Sequence, residues 1–194
     1  MNNKYEVFIQ LLNFNREKYS AEKVFKDLVS LFAISLSNKV FFCQENSERY
    51  ERIYKSYEKE PYDILGEIYK EITRESYLRL LSNETTRVVG SELKEIININ
   101  KKDKNGKMVE MNCGTGARIL AYASTLSIFK LDYKSDLEVV AFDTDIINVF
   151  MTYIQLYFYE ISAIVILMDK TGNKEIMRLY TPSYEDSFEN LMIA

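Results

Sequence analysis

Residues 107–145 read KMVEMNCGTGARILAYASTLSIFKLDYKSDLEVVAFDTD, and the order of their segments decides the fold. A short apolar run enters a turn that contains Gly114 and Gly116, a run with helical spacing follows, and a second apolar run ends at Asp143. In a doubly wound α/β sheet this order has a physical purpose. Glycines after a strand let a ligand approach the backbone, and the first N–H groups of the next helix, which have no partner within the helix, point at it. An acid just past the second strand is placed to hold a pair of ribose hydroxyls. Asp143 is therefore read as a contact to the nucleoside part of a cofactor.

Outward from this stretch, the chain alternates. Strands are expected over 108–111, 137–142 and 163–168, with helices over 117–129 and 145–159, which gives a βαβαβ half of a parallel sheet with right-handed crossovers. Residues 169–194 hold the turn KTGNK, a short segment EIMRLYTP and an acidic tail, too little for the other half. Upstream, KKDKNGK (101–107) is polar and aperiodic, and marks the boundary between a helical unit, 1–100, and a partial sheet domain, 107–194. In the helical unit Val24, Phe25, Leu28, Leu31, Phe32, Ile34 and Leu36 recur at helical spacing behind Ser20 as N-cap, which predicts a helix buried on more than one side. The charged stretch 44–60 lays a stripe of Tyr50, Ile53, Tyr54 and Tyr57 on the core. Pro61 suits the first turn of the next helix, whose inner face is Ile64, Leu65, Ile68, Ile72, Leu78 and Leu81. Segment 82–100 reads as a capped helix start, or as a loop and a short helix.

Composition narrows the function. With 194 residues, 47% of them hydrophobic, the chain can bury one or two cores. A net charge of −4 provides no general attraction for a phosphate backbone, so contact with DNA would require a local patch or a partner. The absence of histidine removes His-based triads and the usual neutral-pH proton shuttle, and no metal site is expected. Cys43 and Cys113 make no CxxC pair, which suits a reducing compartment. No apolar run reaches the roughly 20 residues of a membrane-spanning helix, and a soluble cytoplasmic protein is expected.

Glu110, Asn112, Cys113, Gly114, Thr115 and Gly116 form the first constellation: a carboxylate ahead of the turn suits the amine of an amino-acid-bearing cofactor. The same turn also serves as a plain strand-to-helix connection. Asp145 reads as the N-cap of its helix. Asp169, after the third strand, is placed either to meet an adenine amine or to be a solvated loop acid. Tyr153, Tyr157, Phe158 and Tyr159 offer either a stacking surface for bases or core and rim packing, and Arg118 either an anion contact or an ordinary exposed arginine.

Several stretches also carry a resemblance. FKDLVSLFAISLSN (25–38), EPYDILGEIYKEI (60–72), EMNCGTGARILAYA (110–123), and VVAFDTDIINVFMTYIQLYFYEISAIVI (139–166) running on to LYTP resemble the short N6-adenine DNA methyltransferase-like proteins of phages and mobile elements, relatives of the modification subunit of type I restriction systems. The resemblance covers most of the chain. It implies a helical unit followed by a truncated Rossmann-like methyltransferase sheet, with S-adenosylmethionine as cofactor, Glu110 to Gly116 around its methionine part and Asp143 on its ribose. Three departures stand out. Met111 and Ala117 occupy places where the family has Pro and Gly, and SNETTRVVG (82–90) stands where it has a Phe-Phe-Thr-Pro element. The chain's two prolines, Pro61 and Pro182, lie in no Asn/Asp-Pro-Pro-aromatic motif, the loop that holds a flipped adenine in such enzymes. The expectation is an adenine-N6 DNA methyltransferase-like protein without its target-base loop and with unknown catalytic residues. The alternative is an inactive binding or inhibitory protein, a partner subunit or anti-defence factor, that uses the fold as a scaffold. An exposed sheet edge invites another chain or a second copy.

Overall fold

The apolar runs on either side of the glycine turn become neighbouring parallel strands. The structure, a computed structural model, describes residues 20–38, 61–73 and 106–186. In chain order these form α1 (Ala21–Ser37), α2 (Ile64–Thr73), β1 (Gly106–Glu110), α3 (Ala117–Ile128), the single turn α4 (Tyr133–Asp136), β2 (Leu137–Asp143), α5 (Ile146–Phe158), β3 (Ser162–Met168) and β4 (Glu175–Tyr180). The sheet order is β1-β2-β3-β4, the first three strands parallel and β4 antiparallel to β3. Glu110 lies beside Ala141 and Asp143 beside Leu167, so the carboxyl ends of the parallel strands lie together at one end of the sheet. That end is where ligands bind in open α/β sheets.

The α/β expectation with three parallel strands holds. The segment 175–180, read only as a short piece after a turn, is a fourth strand, and it covers the edge of β3. With β3 interior, its run Ser162–Leu167 is buried throughout, as expected of a strand covered on both sides. β2 alternates instead, with Leu137, Val139, Ala141 and Asp143 buried. Both crossovers advance in one direction across the sheet, so right-handed connections place α3 and α5 on the same face. Arg118 of α3 and Asn148 of α5 reach Glu110 and Asp143 from that face. On the other face, Val109 remains 63% exposed.

α5 is apolar nearly all round because most of it is covered. It lies between the sheet and the helices α1 and α2, with the Phe32 and Phe158 rings stacked at 5.6 Å and Phe25 stacked on Tyr69 at 5.4 Å. One apolar cluster thus runs from α1 through α5 into the sheet. Ser20 caps α1 as its sequence suggests, accepting from the Lys23 N–H at 3.2 Å. The expected burial of α1 on more than one side is not found: Val24, Phe25, Val29, Phe32 and Ala33 face inward, while Leu31 and Ile34 are 62% and 48% exposed. Pro61 lies ahead of α2 rather than in its first turn, and Asp63 is the cap, accepting from the Gly66 N–H at 3.0 Å. The tyrosine stripe of 44–60, Leu78, Leu81 and the segment 82–100 fall outside the described residues. Among the described residues no helix is long and apolar enough to cross a membrane.

Thr181 fastens the start of β3. Fully buried, it accepts from the Ala163 N–H at 2.9 Å and donates to the Ile161 carbonyl at 2.8 Å. Thr181→Val leaves that buried N–H with a poorer partner set and should lower unfolding free energy by about 1–3 kcal/mol in urea titrations, whereas Thr181→Ser keeps most of the stability.

Candidate functional site

β1 does not end at Glu110 in hydrogen-bonding terms, because the Cys113 N–H reaches the Phe142 carbonyl at 2.8 Å and carries the β1–β2 pairing into the turn. Gly116 N–H then closes on the Cys113 carbonyl at 2.8 Å, and Leu120 N–H on the Gly116 carbonyl starts α3. Gly114 has φ +54° and Gly116 φ +89°, both left-handed. The two glycines serve different ends. A Cβ on Gly114 would meet nothing within 4 Å, so that position is open to an approaching group, whereas one on Gly116 would lie 3.3 Å from Thr152 Oγ1. No side chain caps α3. Gly114→Ala should therefore cost only the left-handed backbone penalty, about 1–2 kcal/mol; Gly116→Ala adds a packing conflict and should cost more, which paired chemical denaturation curves will show.

The turn is held at three successive places. Gly114 N–H donates to Asp143 Oδ2 at 2.9 Å, Thr152 Oγ1 donates to the Gly114 carbonyl at 2.9 Å, and Gln155 Nε2 donates to the Thr115 carbonyl at 2.7 Å. Thr152 and Gln155 are fully buried and sit three residues apart, on one face of α5. Gln155 also donates to Asp63 Oδ1 at 2.9 Å and accepts from the Leu65 N–H at 3.1 Å, while Thr115 Oγ1 donates to Asp63 Oδ2 at 2.6 Å. The start of α2 is thereby joined to the glycine turn and to α5 through one carboxylate.

Asp63 is half-buried as a residue, but its carboxyl group points inward onto Thr115 and Gln155. Desolvation raises its pKa above the ordinary 3.8, against the opposing pull of bonds from Thr115, Gln155 and Gly66. A carboxyl whose folded-state pKa is raised contributes most stability below its unfolded pKa and loses that contribution as pH rises through the folded value. The melting-temperature difference between wild type and Asp63→Asn should thus favour wild type most below about pH 4 and shrink as pH rises, read by scanning calorimetry across a pH series.

The remaining candidates fall into place around this turn. Asp143 is buried, with Oδ1 accepting from the Asp145 N–H at 2.9 Å and Oδ2 also from Asn148 Nδ2 at 3.2 Å. Asp145 caps α5, as its position suggested, accepting from the Ile147 N–H at 2.7 Å. Glu110 is buried and takes Arg118 Nη1 on both oxygens at 3.2 Å, so this arginine is an ion-pair partner rather than an isolated surface charge. Asn112 is exposed. Cys113 is buried, and burial pushes its thiol up to about 12, which removes it as a nucleophile near neutral pH. Asp169 lies past β3, with β2 between that strand and β1, and its carboxylate folds its own turn by accepting from Thr171 Oγ1, the Asn173 N–H and the Lys174 N–H. Hydrogen bonding there, from Asn173 first, lowers its pKa. Tyr153, Phe158 and Tyr159 are buried, so they are core and not a stacking surface, with Tyr157 at the rim. Asp63, Asn148, Thr152 and Gln155 were not singled out from the sequence. Thr152 and Gln155 did carry a signal: two polar side chains at helical spacing in an otherwise apolar helix need buried partners.

No protein-family model matches the chain, and no curated protein matches it. Among solved structures it is similar to a Listeria monocytogenes protein provisionally assigned as a class I S-adenosylmethionine-dependent methyltransferase, with a TM-score of 0.50 and 13% identity over 91% of this chain. The chain spans 56% of that protein's length. At this identity the likeness shows the fold: a Rossmann-like α/β sheet of the class I methyltransferase kind.

Proposed function

We propose that the chain binds S-adenosylmethionine at the glycine turn and is an adenine-N6 DNA methyltransferase-like protein, of the kind found in phages and mobile elements beside restriction-modification systems. The observation that carries this reading is the meeting of the Gly114–Gly116 turn with Asp143 at the carboxyl ends of two parallel strands, 2.9 Å apart from N–H to carboxylate. The residues present fit such a ligand. Open space over Gly114 admits a group against the backbone, and α3 begins without a side-chain cap. Asp143 uses three bonds of the roughly four that a carboxylate can accept, which leaves one for a hydroxyl. Glu110, Asn112 and Thr115 surround the end of β1, where the amino-acid part would lie, and Asp143 would hold the ribose.

Bound there, the cofactor would supply an electrophilic methyl group for direct transfer to an amine. The chain's own contribution is positioning: a turn fixed from three sides and a carboxylate oriented by backbone N–H groups, so little ordering remains to be done on binding. The Asn/Asp-Pro-Pro-aromatic loop that would hold the adenine is not in the sequence, whose prolines stand at 61 and 182. A second reading is favoured by that fact and by Glu110, whose oxygens are already paired with Arg118. On it the chain is a binding or inhibitory protein that keeps the fold as a scaffold and works through a protein partner.

Titration calorimetry with S-adenosylhomocysteine separates the two. Saturable heat that falls at least about tenfold in affinity in Asp143→Ala, about 1.4 kcal/mol, supports the cofactor site; no heat with folded wild type supports the scaffold. Methyl transfer to DNA by the isolated chain is expected to be weak or absent in either case, read by tritium incorporation.

A further inference from the structure

One carboxylate that accepts from three donors belongs to neither strand end. Asp63 stands at the start of α2, 52 residues before Thr115 and 92 before Gln155, and its two oxygens accept from Thr115 Oγ1, Gln155 Nε2 and the Gly66 N–H. Gly66 is shaped to this carboxylate: a Cβ there would sit 2.1 Å from Asp63 Oδ2, so no other residue leaves the cap where it is. Gln155 completes the joint by accepting from the Leu65 N–H while it donates to the Thr115 carbonyl. Thr115 is thus gripped at its hydroxyl by α2 and at its carbonyl by α5, between two glycines that by themselves would leave the turn free to move.

We infer that Asp63 is a positioning residue for the glycine turn: by fixing Thr115 it makes ligand affinity at the turn depend on the docking of α2, not on the sheet alone. This rests on the cofactor reading above. A ligand that must first order a mobile loop loses affinity by the fraction of time the loop is out of place. The docked start of α2 removes that loss in advance. Asp63→Ala deletes all three bonds. Asp63→Asn is the conservative partner, because its amide oxygen still accepts from Gly66 and Gln155 and its NH2 meets the Thr115 hydroxyl acting as acceptor. Thr115→Val and Thr115→Ser remove and keep the hydroxyl at nearly constant shape.

Two measurements on the full chain test this: S-adenosylhomocysteine affinity by calorimetry, and amide hydrogen exchange of the peptide spanning 112–118 without ligand. Asp63→Ala and Thr115→Val should weaken binding about tenfold or more and speed exchange in the turn, while Asp63→Asn and Thr115→Ser stay within about threefold of wild type. Gly66→Ala displaces the Asp63 carboxylate without deleting it, because the added Cβ would lie 2.1 Å from Oδ2. If the clamp matters, this variant weakens binding and speeds exchange in the same way; wild-type affinity and exchange in it would count against the inference. Unchanged affinity and exchange in Asp63→Ala and Thr115→Val would overturn the inference while leaving the cofactor reading intact. No heat from wild type would overturn both. Faster exchange in the variants would then assign the clamp to the turn's conformation alone.

Discussion

Two consecutive carbonyl oxygens, those of Gly114 and Thr115, are held by two buried side chains of α5, Thr152 and Gln155. An orphaned polar group in such a place costs about 1–3 kcal/mol, so the turn and the helix specify each other. Most of the architecture follows from that pairing. Because Thr152 and Gln155 face the turn, the rest of α5 must face the sheet and the N-terminal helices, and its sequence is apolar nearly all round. With Gly114 N–H on Asp143, the turn is fastened to β2 as well as to β1, and the two strands present their ends as one surface. That surface has its donors and acceptors set before any ligand arrives.

Charge is arranged in the same local manner. Glu110 and Asp143 are buried acids at adjacent strand ends, and each is satisfied within the chain, Glu110 by Arg118 and Asp143 by N–H groups of the turn and of α5. Buried carboxylates of this kind stabilise only if their partners stay put. The same partners therefore serve the fold and would orient a ligand. The strand-end acids thus have a structural role of their own.

The repeating part of the fold was legible because its signals are local. The apolar runs of β2 and β3, glycines placed between strand and helix, and Asp145 before an apolar helix each fix conformation over a few residues. What escaped depends on distant partners. The segment 175–180 shows exposed and buried residues without a clear period, and only pairing with β3 makes it a strand. Asp63 looked like one more polar residue after Pro61, and Gln155 like a break in an apolar helix; their meaning appears once residues 92 apart are brought together. The double-sided burial expected of α1 failed for a related reason, since Leu31 and Ile34 are apolar but are 62% and 48% exposed, and no described element covers them.

The start of α2 depends on a cap that the ribosome makes late. Leu65 N–H is satisfied by Gln155, 90 positions downstream, so during synthesis this short helix leaves the exit tunnel well before the side chain that completes its first turn exists. An isolated ten-residue helix is marginal in water. The docking of its first turn therefore waits on α5.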